Sequence, residues 1–187
     1  MPHDGWLFWY DRVSMNFKYE GNEDSPYRRG IPDGRIDTTV NYLSARKYFM
    51  NGFDVTGEIL YVERSNDLWN KLLSGKNYGP PMAYNLMVRY RPDEHWTFYG
   101  NYNVWYTDIK DKSGVVHASY PGNAPPERYS SKDLNFGFKY LIDNKWAFKA
   151  SYHIIHGTNT LSIDENESMK NMKSKYNMIN ASVSYAF

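Results

Sequence analysis

Ser151, His153 and His156 are the residue types that acyl transfer or metal binding would use. A serine nucleophile needs a histidine base within hydrogen-bond reach. Two positions apart on a strand, Ser151 and His153 share a face but lie about 7 Å apart along it. That spacing predicts no direct bond between them. His156 has the opposite parity, so it and His153 do not form the metal pair that they would on a helix. The chain has no Cys, hence no thiol nucleophile, thiolate site or disulfide framework. The expectation is a non-enzyme with no catalytic residue, metal site or cofactor, in which His153 is a water-bonded histidine.

Charged loop residues carry less. Asp164, Glu165 and Glu167 have the chemistry to gather divalent cations, but their spacing is not that of a helix-loop-helix calcium loop. They read as a solvated acidic loop, and Lys170, Lys173 and Lys175 as its charged surface. Tyr27-Arg28-Arg29 and Trp69 have adhesive or sugar-binding chemistry; Trp69 reads as a loop-packing anchor.

A different set is defined by parity. Arg12, Lys18, Arg89, Arg91, Lys139, Lys149 and His153 are expected on one face of a sheet, with Asp37, Asp54 and Glu58 as counter-charges. Glu58 and Arg89 are expected to pair. These side chains would line a polar lumen whose basic excess favours anions.

The elements that must position them follow from period-two alternation. Strand one lies within Trp6 to Tyr19, with Val13, Met15, Phe17 and Tyr19 as its apolar row and a break expected near Asp11. Strand two covers Arg35 to Tyr48, with Ile36, Thr38, Val40 and Tyr42 apolar; from Leu43 to Met50 clean alternation is lost and the register is left open. Strand three starts at Phe53 after the Asn51-Gly52 turn. Strands four to seven start near Tyr84, Trp96, Leu134 and Trp146. Strand eight has Ile179, Ala181, Val183, Tyr185 and Phe187 on one side, with Asn180, Ser182, Ser184 and Ala186 on the other. The connections alternate long and short. One or two helical turns are expected within 67–73.

Composition narrows the class. Aromatics reach 18%, led by 18 Tyr, while no apolar run approaches the roughly 18 residues of a membrane-spanning helix. A net charge of +1 argues against nucleic acid as a partner. Met1-Pro2-His3-Asp4 has neither the basic start nor the apolar core of a signal peptide. The expectation is a mature form with an added Met, or a chain whose N-terminal part has been left out.

With its greasy row ending on Tyr185 and a terminal Phe187, the last strand resembles that of bacterial outer-membrane β-barrel proteins, where such an end serves as an assembly signal. Asn144-Lys145-Trp146-Ala147-Phe148-Lys149-Ala150-Ser151-Tyr152-His153 with Gly157-Thr158 is similar to the late strands of larger porin-like proteins. The alternation of loop lengths is also that of outer-membrane barrels. The resemblance implies an all-β, antiparallel up-and-down transmembrane barrel over residues 1–187, with about eight strands. It is either complete or the C-terminal part of a larger barrel. It implies a bacterial outer-membrane location, with outer-membrane lipids, lipopolysaccharide and the barrel-assembly machinery as partners. The expected function is porin-like passive diffusion of small hydrophilic solutes. The alternative is a small plugged barrel with a surface adhesion or envelope-integrity role through its loops.

Overall fold

A computed structural model describes residues 4–19, 34–65, 79–119, 125–159 and 173–186. The loop residues 20–33 and 66–78, the acidic stretch 164–167, Lys170 and Phe187 lie outside the described residues, so the expectations placed on them stay there.

Eight strands form one antiparallel sheet in strict chain order. They are β1 (Gly5–Tyr19), β2 (Gly34–Tyr48), β3 (Phe53–Ser65), β4 (Met82–Tyr90), β5 (Trp96–Tyr106), β6 (Ser130–Leu141), β7 (Trp146–His156) and β8 (Lys175–Tyr185). A four-residue helix, α1 (Val115–Ala118), and a 3-10 turn (Pro126–Tyr129) lie between β5 and β6. The up-and-down expectation holds, but the sheet is not closed: β1 pairs only with β2, and β8 only with β7.

The three described short turns are built locally. Asp93 Oδ1 accepts from the backbone N–H groups of His95 and Trp96, each at 2.8 Å. Asp143 Oδ1 does the same for Lys145 and Trp146, at 2.7 and 2.8 Å. Such carboxylates hold the chain in a turn where the ladder ends. The third uses Asn51-Gly52, with Phe49 N–H donating to Phe53 O at 2.9 Å. At the other end, Gly157 sits at φ +96°, and a Cβ there would fall 2.1 Å from the Ser130 carbonyl oxygen. Only glycine fits.

Pairing is unbroken along every strand, with no bulge, so cross-strand partners define two faces over the whole sheet. One hydrogen-bonded row runs Phe8, Ala45, Gly57, Leu86, Tyr102, Leu134, Ile154, Asn177. This face is apolar and uncovered: Leu86 is 53% exposed, Phe136 52% and Ile179 77%. The opposite face carries the buried polar side chains Ser44, Asp54, Thr56, Asn135 and Ser131. It is concave, since Tyr42, Glu58, Asn85, Asn103 and Asp133, from five successive strands, line one cavity of about 390 Å³. Polarity is thus the reverse of a water-soluble domain, where exposed apolar patches stay small.

The apolar stretch spans nine to eleven residues on β3, β4, β5 and β7: 53–61, 82–90, 96–106 and 146–154. The row that starts at Phe8 ends on Asn177, already above the apolar part of β8 (Ile179 to Tyr185). The band therefore runs oblique to the hydrogen-bond rows, as it must where strands tilt across a slab. Its turn-side border is aromatic. Trp96 lies 4.6 Å from Tyr140, Phe53 4.4 Å from Tyr90, and Trp146 4.6 Å from Tyr185.

β1 and β2 correct the sequence reading. β1 is one continuous strand through Asp11, and β2 keeps its register to Tyr48. With no bulge, Val13, Val40 and Val62 share the concave side, while Arg12, Asn41 and Tyr61 share the convex side. The alternation at the loop end of these two strands is therefore opposite to that expected.

Candidate functional site

The polar wall is assembled from strands that each contribute every second residue. The structure brings Glu58, Arg89, Arg91, Lys139, Lys149 and His153 to its concave side. Arg12 and Lys18, expected with them, lie on the convex face, because Arg12 pairs with Asn41 and Asn41 with Tyr61. Asp37 is on that convex side too, accepting a hydrogen bond from Asn16. The sequence reading missed Arg46, which sits on the concave side of β2 where the alternation is least regular. Its signal was the two-residue spacing from Ser44, readable only once the Tyr48–Asp54 pairing is known.

Asp54 is the centre of the turn-side half of the wall and is fully buried. Arg46 donates from Nε and Nη2 to its two oxygens, each at 3.1 Å. Arg89 Nε donates to Oδ1 at 3.1 Å, and Arg91 Nη2 to Oδ2 at 3.0 Å. The Arg46 guanidinium also lies 4.4 Å from the centre of the Tyr48 ring. The expected Glu58–Arg89 pair does not form. Arg89 stands directly opposite Asp54, four residues nearer the turn than Asn85, and Asn85 takes Glu58 instead, Nδ2 to Oε2 at 2.8 Å.

Further along, Lys139 and Lys149 are direct cross-strand partners on β6 and β7. Neither has an ion pair among the described residues. Like charges so placed destabilise a bare sheet.

Ser151 and His153 overturn the 7 Å expectation. Ser151 Oγ lies 2.9 Å from His153 Nε2, because both side chains lean along the strand. His153 Nδ1 lies 2.9 Å from Asp133 Oδ2 on β6. Asn135 donates to that same oxygen at 3.0 Å, and Asn180 Nδ2 approaches His153 Nε2 at 3.4 Å. A hydroxyl, an imidazole and a carboxylate are thus in line, but the site has no backbone oxyanion donors. Ser151 is mid-strand between Gly137 and Asn180, so the N–H groups around it belong to ladders on both sides. His156 faces the convex side with Lys132 and Lys175. Among the described residues no cluster of His, Asp or Glu is placed to hold a metal ion.

Five buried side-chain atoms on the wall, Ser44 Oγ, Thr56 Oγ1, Asn85 Oδ1, Asn101 Oδ1 and Arg89 Nη2, have no partner among the described residues. Polar atoms of this kind are satisfied by water. The wall is therefore chemically a water-facing surface with a cationic turn-side half.

The long-loop rim is tied down by its own contacts. Asp111 accepts from His117 N–H at 2.9 Å and from Ser113 Oγ at 3.0 Å, and its Oδ2 lies 3.1 Å from His117 Nδ1. Burial alone would raise its pKa; the His117 and Ser113 hydrogen bonds outweigh burial and hold the carboxyl below its ordinary value. Asn159 Nδ2 donates to Thr107 Oγ1 and to the Arg128 carbonyl, both at 3.1 Å, joining two loops. No protein-family model, curated protein or solved structure matches this chain.

Proposed function

We propose that this chain forms the wall of a bacterial outer-membrane pore for passive diffusion of small hydrophilic solutes, with a preference for anions. The observation that carries the reading is the inverted polarity of one continuous sheet. The convex face exposes a nine-to-eleven-residue apolar band with an aromatic turn-side border, and the concave face holds polar groups that call for water. The dimensions match the stretch that a tilted strand needs to cross the hydrocarbon. Outer-membrane lipids and lipopolysaccharide are then the convex face's surroundings, and the last strand is the segment offered to the barrel-assembly machinery.

In lipid, neither the β1 nor the β8 edge can stay bare, because unpaired backbone groups have no partner there. The pore is complete only where those two edges meet each other or meet further strands. The anion preference comes from Arg46, Arg89, Arg91, Lys139 and Lys149 on the concave side near the turns, against Asp54.

Planar-bilayer recording tests the reading. The expected result is an open current with anion preference that weakens in Arg89→Ala and Lys149→Ala. An absence of current, or an ion preference unchanged in both variants, removes it.

A further inference from the structure

We propose that the turn-side end of the polar wall holds a discrete site for a small doubly charged oxyanion of the phosphate class, seated over Thr97 between Arg91 and Lys139. The proposal rests on the pore reading for its setting, and on separate geometry for its content.

Charge comes first. Arg46, Arg89, Arg91, Lys139 and Lys149 share the concave side near the turns, and Asp54 is the acid bonded to the three arginines. Asp54 therefore neutralises one of three guanidiniums and no lysine. Its role is geometric: it holds the arginine heads together at fixed angles, so that they meet an anion already oriented.

Placement comes next. Thr97 pairs with Lys139, and Lys139 with Lys149. The β4–β5 register, continued one step past Tyr90 and Phe98, sets Arg91 beside Thr97 on the other side. Arg91 and Lys139 thus flank one hydroxyl, two strand spacings (about 10 Å) apart, within reach of a ligand between them. Arg91, Thr97 and Lys139 line a single cavity of about 520 Å³, ample for a tetrahedral oxyanion and its water. Arg91 commits Nη2 to Asp54 and leaves its other N–H groups available.

Two acids also border the cavity. Asp93 Oδ1 is occupied by the backbone N–H groups of His95 and Trp96. Glu94 lies exposed in the same turn. An oxyanion bridging Arg91, Thr97 and Lys139 would relieve the Lys139–Lys149 repulsion. The three acids Asp54, Asp93 and Glu94, set against those five cations, leave a surplus of two charges, which a doubly charged oxyanion matches better than chloride.

Calorimetric titration of the detergent-folded full chain with inorganic phosphate at low ionic strength tests the site. The expected result is saturable binding that weakens at least tenfold in Arg91→Gln and in Lys139→Gln, weakens several-fold in Thr97→Val, and is unchanged in Lys112→Gln. Far-UV circular dichroism checks that each variant is folded; Thr97→Val keeps every charge and the side-chain shape. Absence of saturable heat from the folded wild-type chain overturns the proposal. So does binding that persists unweakened in both Lys139→Gln and Thr97→Val. Conductance recorded in parallel separates the two readings: current without phosphate binding removes the site alone, and binding without current removes the pore alone.

Discussion

Ser151 Oγ and His153 Nε2 are 2.9 Å apart although one residue separates them on β7, and Asp133 completes the line behind the imidazole. The hydrogen bonds are those of an acyl-transfer relay; the surroundings are those of a sheet interior. Backbone donors that would stabilise an oxyanion are spent in the ladders to β6 and β8. Ser151 in the detergent-folded protein is therefore expected to resist fluorophosphonate labelling, read by intact mass. His153→Ala is expected to cost about 1–2 kcal/mol in a urea titration by removing one of Asp133's side-chain partners and leaving it to Asn135. Stoichiometric labelling lost in His153→Ala would show that the relay is catalytic after all.

Asp54 holds Arg46 of β2, Arg89 of β4 and Arg91 just past β4 against the start of β3. Asp54→Asn should destabilise by about 2–4 kcal/mol, less than a fully buried pair because the guanidiniums keep some contact with water. Equilibrium unfolding in urea, followed by tryptophan fluorescence, measures this. A loss under 1 kcal/mol would mean that the carboxylate is not the organising group.

The two faces should respond oppositely to charge. Leu86→Arg, in the middle of the apolar band, should cost about 2–4 kcal/mol in lipid vesicles, whereas Asn101→Arg on the concave side should cost well under 1. Unfolding from vesicles reads both. Equal costs would contradict the assignment of faces.

Asp111 gives the rim a pH dependence. Its folded pKa is held below the ordinary 3.8, so its contribution is fully present above that value and is lost as pH falls through the lower folded value. Hydrogen exchange across 107–118 should rise when pH is lowered from 5 to below 3, after correction for intrinsic rates. In Asp111→Asn that protection should already be low at pH 5. Unchanged protection in this variant would sink the claim.

Much of the fold was legible because lipid-type alternation writes itself into a sequence at period two. Strands β3 to β8 show it, and for them the expected faces and the observed faces coincide. The turn between β2 and β3 was legible through Asn51-Gly52. β1 and β2 were misread for a physical reason. Each runs 15 residues, longer than the roughly 9–11 that a hydrocarbon slab constrains. On the proposed membrane reading, residues beyond the slab need not point apolar side chains outward, which accounts for Val13, Val40 and Val62 on the concave side and Arg12 and Lys18 on the convex side. Arg46 was missed because the turn end of β2, from Leu43 to Tyr48, has no clean alternation. The Ser151–His153 bond was missed because strand rise fixes Cα spacing, not the lean of two side chains toward each other. The open edges were not legible at all, since alternation along a strand carries no record of its neighbour.

The most direct test of the central claim uses the absence of Cys in this chain. Single cysteines placed along β5 and β6, at Phe98, Tyr99, Asn101, Tyr102, Asn135 and Phe136, would carry nitroxide labels in lipid vesicles. Collision with oxygen and with a water-soluble nickel chelate should then alternate with period two. Phe98, Tyr102 and Phe136 should be oxygen-accessible and nickel-protected, and Tyr99, Asn101 and Asn135 the reverse. Equal nickel access on both faces, in a chain that stays folded and monomeric without lipid or detergent, would contradict the account.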